Sequence, residues 1–286
     1  MNYVLLILAV AGVAMQQILE KRFNGLFGET EGSAFFHNFF MSLTAFLCFL
    51  VIFLTAPEIN MPSLPYSVFF AGTVCTALTF ELLAIRTGPL ALTALVMSFS
   101  LLIPSLYGVL FLDESLSAFG IAGLVLFVVS LLLVAEYGKS ERKITKKYLA
   151  FLALAFLGNG LCSTVQKVHQ IDFDGKYGPF FMAWAMATVT LFNLIFFLSK
   201  PPKKKSGIYK KGTFYACLTG FFNGLVNYMM VLLATLLPAV IVFPTVGAGG
   251  TLTVFIVAVT VFKERFLPRQ YIGYACGIAA IVLMNI

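Results

Sequence analysis

Three observations predict an all-α integral membrane protein, with ten transmembrane helices arranged as two inverted five-helix repeats. First, 60% hydrophobic residues, 11% charged residues and a mean hydropathy of +0.97 leave too little polar surface for a soluble globule of 286 residues. Second, ten apolar stretches fill nearly the whole chain, each close to the ~20 residues that cross a hydrocarbon core as helix. Third, Leu102 and Leu252, Val109 and Val259, Glu114 and Glu264, Gly123 and Gly273, and Leu133 and Leu283 all stand 150 positions apart. In each set the acid follows an apolar helix, closes a very short loop and precedes a glycine-bearing last helix.

The first set, residues 1–138, places helices at approximately 2–20, 32–55, 66–86, 90–112 and 117–136. Met1 to Leu19 has no basic leader and no small-residue cleavage site, so it is expected to be a helix, not a signal peptide. His37 and Asn38 open the second helix, and Thr87, Gly88 and Pro89 join the third to the fourth. Asp113 to Leu116 make the turn into the fifth. The basic stretch 139–147 links to the second set, residues 148–286, with helices expected at 147–169, 178–199, 212–234, 238–262 and 268–285. There Leu236 to Pro238 and Glu264 to Leu267 are the short joints. Connections this short force neighbouring helices to be antiparallel. Five helices being an odd number, the two sets run oppositely through the membrane. Gly12 with Gly158 and Lys21 with Lys167 recur at 146, and Pro89 with Pro238 at 149.

A net charge of +7 does not point to nucleic acid, because the cations sit in short loops beside helix ends. All of the 19 Lys and Arg except Lys167 and Lys176 fall on one side, chiefly Lys139, Arg142, Lys143, Lys146 and Lys147, then Lys200, Lys203, Lys204, Lys205, Lys210 and Lys211. The positive-inside rule makes that side cytoplasmic and both termini external. Cys48, Cys75, Cys162, Cys217 and Cys276 all lie in apolar segments without close spacing, and read as packing residues, not metal ligands or disulfides.

The segments GPLALTALVMSFSLLIPSLYGVLFLDE and LPAVIVFPTVGAGGTLTVFIVAVTVFKE, at corresponding places in two five-helix halves, resemble the EamA-like branch of the drug/metabolite transporter superfamily. The resemblance spans essentially the whole chain. It implies the inverted-repeat fold, a proline junction at Pro89 or Pro238, an acid at Glu114 or Glu264 and a glycine at Gly123 or Gly273. Members move amino acids, sugars, nucleotide sugars, cations or drugs, so the resemblance leaves the substrate open. The second half departs from the pattern: Val254 replaces the match to Pro104, and the breaking residues move forward to Pro244, Gly247, Gly249 and Gly250.

Polar groups inside lipid-spanning segments are costly and face a packed interior or a wet cavity. Gln16 and Glu20 share a face of helix one with Gly12, and Glu20 is either an acid paired with Lys21 or Arg22 or a gate. Glu81 lies about 7 Å deeper than Arg86, five residues before it. It is either a proton-coupling carboxylate or the static partner of Arg86, Lys21 or Arg22. Asn159 and Ser163 in helix six, and Asn223 and Asn227 in helix eight, offer i, i+4 pairs near mid-span that either line a central site or bond helix to helix. His37 is expected to be a solvated interfacial group or a proton relay. Lys167 and His169 are expected to pair locally with Asp172 and Asp174. Trp184 is either an interfacial belt residue or a substrate-stacking ring, and Tyr107 and Tyr228 are phenols near mid-membrane. Pro104 is a kink. Pro244, Gly247, Gly249 and Gly250 mark local unwinding or close helix approach. Glu114 and Glu264, at opposite faces, read as turn caps or partners of basic neighbours such as Arg265.

The expectation is a plasma-membrane secondary transporter of a small polar metabolite, monomer or homodimer, working by alternating access, with protons as a coupling partner through Glu81 or Glu20. It takes no cofactor and no metal. The lipid bilayer is its surroundings, and it is not an enzyme: no GxxxxGK[ST], HExxH or GxSxG sequence occurs. The alternatives are an exporter of lipophilic or quaternary cations and a non-transporting receptor or scaffold.

Overall fold

The computed structural model describes residues 2–28, 30–88, 90–114, 117–134, 144–202, 206–260 and 267–284. The expected features at Pro89 and Glu264, most of the linker 139–147, and Lys203 to Lys205 lie outside the described residues. Within them the chain is helical without strands: α1 Asn2–Phe27, α2 Glu31–Thr55, a 3-10 turn Met61–Ser63, α3 Leu64–Thr87, α4 Leu90–Phe99, α5 Leu102–Phe111, α6 Ala118–Val134, α7 Lys146–Asp172, α8 Gly178–Ser199, α9 Ser206–Leu236, α10 Ala239–Thr260 and α11 Pro268–Met284. Seven of these are long and apolar enough to cross a membrane; α6 and α11, at 17 residues each, and the split pair α4 and α5, at 10 each, are shorter. Isoleucines, leucines and phenylalanines such as Ile7, Leu110, Phe111 and Leu198 stand exposed on the outside, as a lipid-facing surface requires.

Two helices outrun their expected ends for one reason. Phe23 and Phe27 extend α1 beyond residue 20 because they stack on Phe36 and meet Tyr209, and Ile208 and Tyr209 start α9 early in the same cluster. The fourth expected span is divided. Pro104 has no N–H to give the carbonyl of Ser100, which instead accepts from Ile103 N at 3.0 Å. The helix tightens at Ser100 and Leu101 and restarts. Pro244, Gly247, Gly249 and Gly250 do not unwind α10, which runs unbroken. Its glycines face Leu101, Val10 and Val13 across gaps too small for a Cβ, so of the two expected readings it is close approach that holds.

α1 packs on α9 and α10; α7 packs on α3 and on α4 and α5. α2 lies on α8 and α9, α8 on α3, α6 on α11, and α5 on α10. In the α6 and α11 pair each helix uses its glycine to admit the other. A Cβ on Gly123 would stand 2.9 Å from Ala280 O, and one on Gly273 would stand 2.8 Å from Leu133 Cβ. Ser130 Oγ donates to Gly273 O at 2.7 Å across the same contact. All five cysteines are free.

Gly273→Val should therefore cost about 1–3 kcal/mol by forcing α6 and α11 apart. Gly72→Ala, where nothing lies within 4 Å, should be neutral or gain up to about 1 kcal/mol from helix propensity. Unfolding of the purified protein in mixed micelles on titration with SDS measures both.

Candidate functional site

Several of the polar residues singled out from sequence meet at the middle of the bundle. Asn223 on α9 donates through Nδ2 to Gln16 Oε1 on α1 at 3.0 Å, and Asn227 Nδ2 donates to Asn223 O at 2.9 Å and Oδ1 at 3.1 Å. Gln166 on α7 extends the chain by donating to Asn227 O at 3.3 Å. Earlier on α7, Asn159 Nδ2 donates to Ser100 Oγ at 2.6 Å, at the break between α4 and α5, and that hydroxyl in turn donates to Met97 O. Asn159, Ser163 and Gln166 fall at i, i+4 and i+7, one face of α7. Gln16, Asn159, Ser163, Asn223 and Asn227 all keep partial exposure, so the string of amides is not sealed into a dry core.

Gln166 and Ser100 were not among the expected residues. The i+7 spacing from Asn159 is the signal for Gln166. Ser100 carried none, because its role comes from the broken backbone.

At the Glu31 end a second group assembles from α1, α2 and α3. Glu20 stands within electrostatic reach of both Glu81 and His37. Among the described residues Glu81 makes no hydrogen bond and no ion pair. The expected static pair with Arg86 does not form. Arg86 reaches Glu31 instead, which also takes Lys200 Nζ at 2.7 Å, because Glu31 starts α2 beside the end of α3 and Glu81 lies more than a turn deeper. His37, expected to be solvated, is 4% exposed against the Phe23 ring at 4.8 Å. Its Nδ1 is 3.4 Å from Asn38 Oδ1, and its Nε2 has no hydrogen-bond partner among the described residues. Phe23 continues α1 past its expected end and covers the imidazole.

At the Asp172 end the expected pairing of Lys167 with the nearby aspartates is also replaced, while His169 stays within electrostatic reach of Asp172 but takes its hydrogen bonds elsewhere. Lys167, 5% exposed, places Nζ 2.9 Å from Glu114 Oε1 and donates to Ala234 O at 2.7 Å and Leu237 O at 3.0 Å. Glu114 Oε2 accepts from Ala239 N at 2.7 Å. The acid is a helix cap as expected, but for α10, in the other half of the chain. His169 Nδ1 lies 2.8 Å from Gln170 Nε2, which can only donate, so Nε2 donates to Ser63 Oγ at 3.0 Å.

Tyr107 lines a cavity of about 420 Å³ between α3, α5 and α7, with Tyr66, Phe69, Ile103, Thr164 and Val168. Tyr66 donates to Asp172 Oδ2 at 2.5 Å. Tyr228 packs against the Phe49, Phe70 and Phe181 core. Trp184 is 52% exposed and edge-on to Phe180. No group of His, Cys, Asp and Glu able to hold a metal occurs among the described residues.

No protein-family model matches the sequence, and no curated protein matches it. Solved structures do match. One, a crystal structure of a protein 14% identical, aligns over 99% of this chain and 98% of its own with a TM-score of 0.78. That likeness shows the fold.

Removing one partner of the Lys167 and Glu114 pair strands a buried charge. Lys167→Met is expected to cost about 3–5 kcal/mol, whereas Arg86→Gln, at an exposed pair, should cost about 1 kcal/mol or less. Thermal unfolding in one detergent, with both variants side by side, checks the contrast.

Proposed function

We propose that this chain is a secondary transporter of a small polar metabolite, working by alternating access of two inverted five-helix halves, as its resemblance to the drug/metabolite transporter superfamily implies. The observation that carries the reading is the amide string Gln16, Asn223 and Asn227 from α1 and α9, left partly accessible, with the buried Gln166 of α7 bonded to the Asn227 backbone carbonyl. Side-chain amides donate and accept without net charge, which suits hydroxyl, carbonyl and amine groups of a neutral or zwitterionic solute.

The packing order supports the inverted halves. Exchanging α1 with α7, α2 with α8, α3 with α9, the α4 and α5 pair with α10, and α6 with α11 turns the α1 and α9 contact into α7 and α3. It turns α1 and α10 into α7 with α4 and α5, and α2 and α9 into α8 and α3, each a contact that occurs. An axis of that type places a shared site at the centre of the bundle. Glu81, within electrostatic reach of Glu20, is the group we assign to proton coupling. A carboxylate inside a lipid-spanning helix, with no cation paired to it among the described residues, is costly to keep charged.

A second reading, export of a lipophilic cation, is favoured by the aromatic cavity at Tyr66 and Tyr107 with Asp172 at its rim.

Thermal-shift screening against amino acids, sugars, nucleotide sugars, polyamines and quaternary amines, followed by uptake of any hit into proteoliposomes, separates these readings. A polar solute should stabilise the protein, and Asn223→Ala should abolish that shift. Glu81→Gln should keep counterflow exchange and lose accumulation driven by a pH gradient. A quaternary amine whose effect survives Asn223→Ala but not Tyr107→Ala selects the cation reading. Uptake no greater than in empty liposomes for every solute would sink transport, leaving the amides as helix-to-helix bonds.

A further inference from the structure

Lys167 follows Gln166 in α7, so the residue next to the amide string on its Asp172 side is a lysine only 5% exposed. Its ammonium gathers segments that are far apart in the chain. Glu114, at the turn after α5, stands 2.9 Å away, and the carbonyls of Ala234 and Leu237, at the end of α9, accept from it at 2.7 and 3.0 Å. Glu114 also accepts from Ala239 N, where α10 begins. Ala234 lies seven residues beyond Asn227, about 10 Å along α9. The ion pair therefore lies between the amide string and the Asp172 end, and α7, α9, α10 and the turn after α5 cannot separate there while it is intact.

Whether such a pair holds or releases depends on water. Joined, each charge is dehydrated, and mutual attraction offsets that cost because every ammonium proton has an acceptor. Parted without water, both charges are stranded; parted with water, both are hydrated again. Separation is thus tied to wetting of the space between them. Hydration then offsets the lost attraction, which keeps the closed and open arrangements close in free energy. A neutral, apolar side chain in place of the lysine gains nothing from water and holds the end shut. The pair at the other end differs: Arg86, 47% exposed, is solvated whether joined to Glu31 or apart.

We propose that Lys167 and Glu114 form the gate that shuts the amide string from the Asp172 end, and that the gate opens by hydration of both charges. It rests on the transport reading above, to which it adds the contact that must part before a solute reaches Gln16, Asn223 and Asn227 from that side. In this structure the gate is shut.

The test is the rate at which a membrane-impermeant methanethiosulfonate labels Ser163→Cys, on the α7 face that carries Asn159 and Gln166, in the full chain with its five free cysteines replaced by alanine. Membrane vesicles of either orientation present the two sides in turn, and the exposed Lys176→Cys marks the Asp172 side. Glu114→Gln leaves Lys167 without a counter-charge, yet its amide oxygen can still accept from Ala239 N. Labelling from the Asp172 side should rise about fivefold or more. Lys167→Met combined with Glu114→Gln leaves no charge to hydrate, and should label more slowly than the parent. Glu31→Gln, at the other end, should not raise the rate. Unaltered elution volume confirms folded variants; if Glu114→Gln does not fold, the double variant, which strands no charge, decides alone. Glu114→Gln labelled at the parent rate, a double variant labelled as fast as the parent, or an equal rise in Glu31→Gln would each overturn the gate and leave transport standing. No labelling of Ser163→Cys from either side in any variant would mean a dry centre, which sinks the transport reading and the gate together.

Discussion

A lysine inside a lipid-spanning helix has to be compensated, and the way Lys167 is compensated fixes much of the surrounding structure. Its ammonium meets Glu114 at 2.9 Å and the carbonyls of Ala234 and Leu237, so its three protons have three acceptors. Those carbonyls close α9, where a cation opposes the negative end of the helix dipole. Glu114 in turn accepts the first amide of α10, where an anion is favoured. A helix end, a helix start and a turn from the first half are thus held on one residue of α7. The junction from α9 to α10 is correspondingly short, Leu237 and Pro238 alone. Gly108 is drawn in as well: its carbonyl accepts from Glu114 N, and a Cβ there would strike the Glu114 carboxylate.

The opposite end is joined more loosely. Glu31 collects Arg86 and Lys200 from α3 and α8, which ties three helices, but the cations are about half exposed, with side-chain accessibilities of 47% and 59%. Water screens such pairs, and each contributes little to stability. Here the packing rests on stacked rings, Phe23, Phe27 and Phe36, closed by Tyr209. One end of the bundle is latched by a buried charge and the other by aromatic contact and exposed ions.

Between the ends, α7 does most of the joining. It reaches α3, α5 and α9, carries Asn159 to the break at Ser100, Gln166 to Asn227, and Lys167 to Glu114. Three polar contacts from one helix, to three different partners, are affordable in an apolar setting because each finds an acceptor or donor at bonding distance. The same helix shows why Lys167 does not pair with the aspartates next to it in sequence. Asp172 and Asp174 are near in sequence, but Asp172 turns to Tyr66, while the inward face of α7 presents Lys167 to Glu114.

The all-helical, membrane-suited character of the chain and most helix ends were determined by the sequence alone, because hydropathy and turn chemistry act over neighbouring residues and need no partner. The i, i+4 amide pairs and the weakness at Pro104 were legible on the same grounds: one follows from helical periodicity, the other from a missing N–H. What only the tertiary structure decided is which polar group meets which. Glu114 capping α10, Arg86 choosing Glu31 over Glu81, Gln166 joining the amide string, and the glycines of α10 serving contact instead of unwinding all depend on helix rotation and on neighbours distant in the chain. Rotation in an apolar sequence is set by packing and by long-range pairing of a few polar atoms, and local pattern does not encode those.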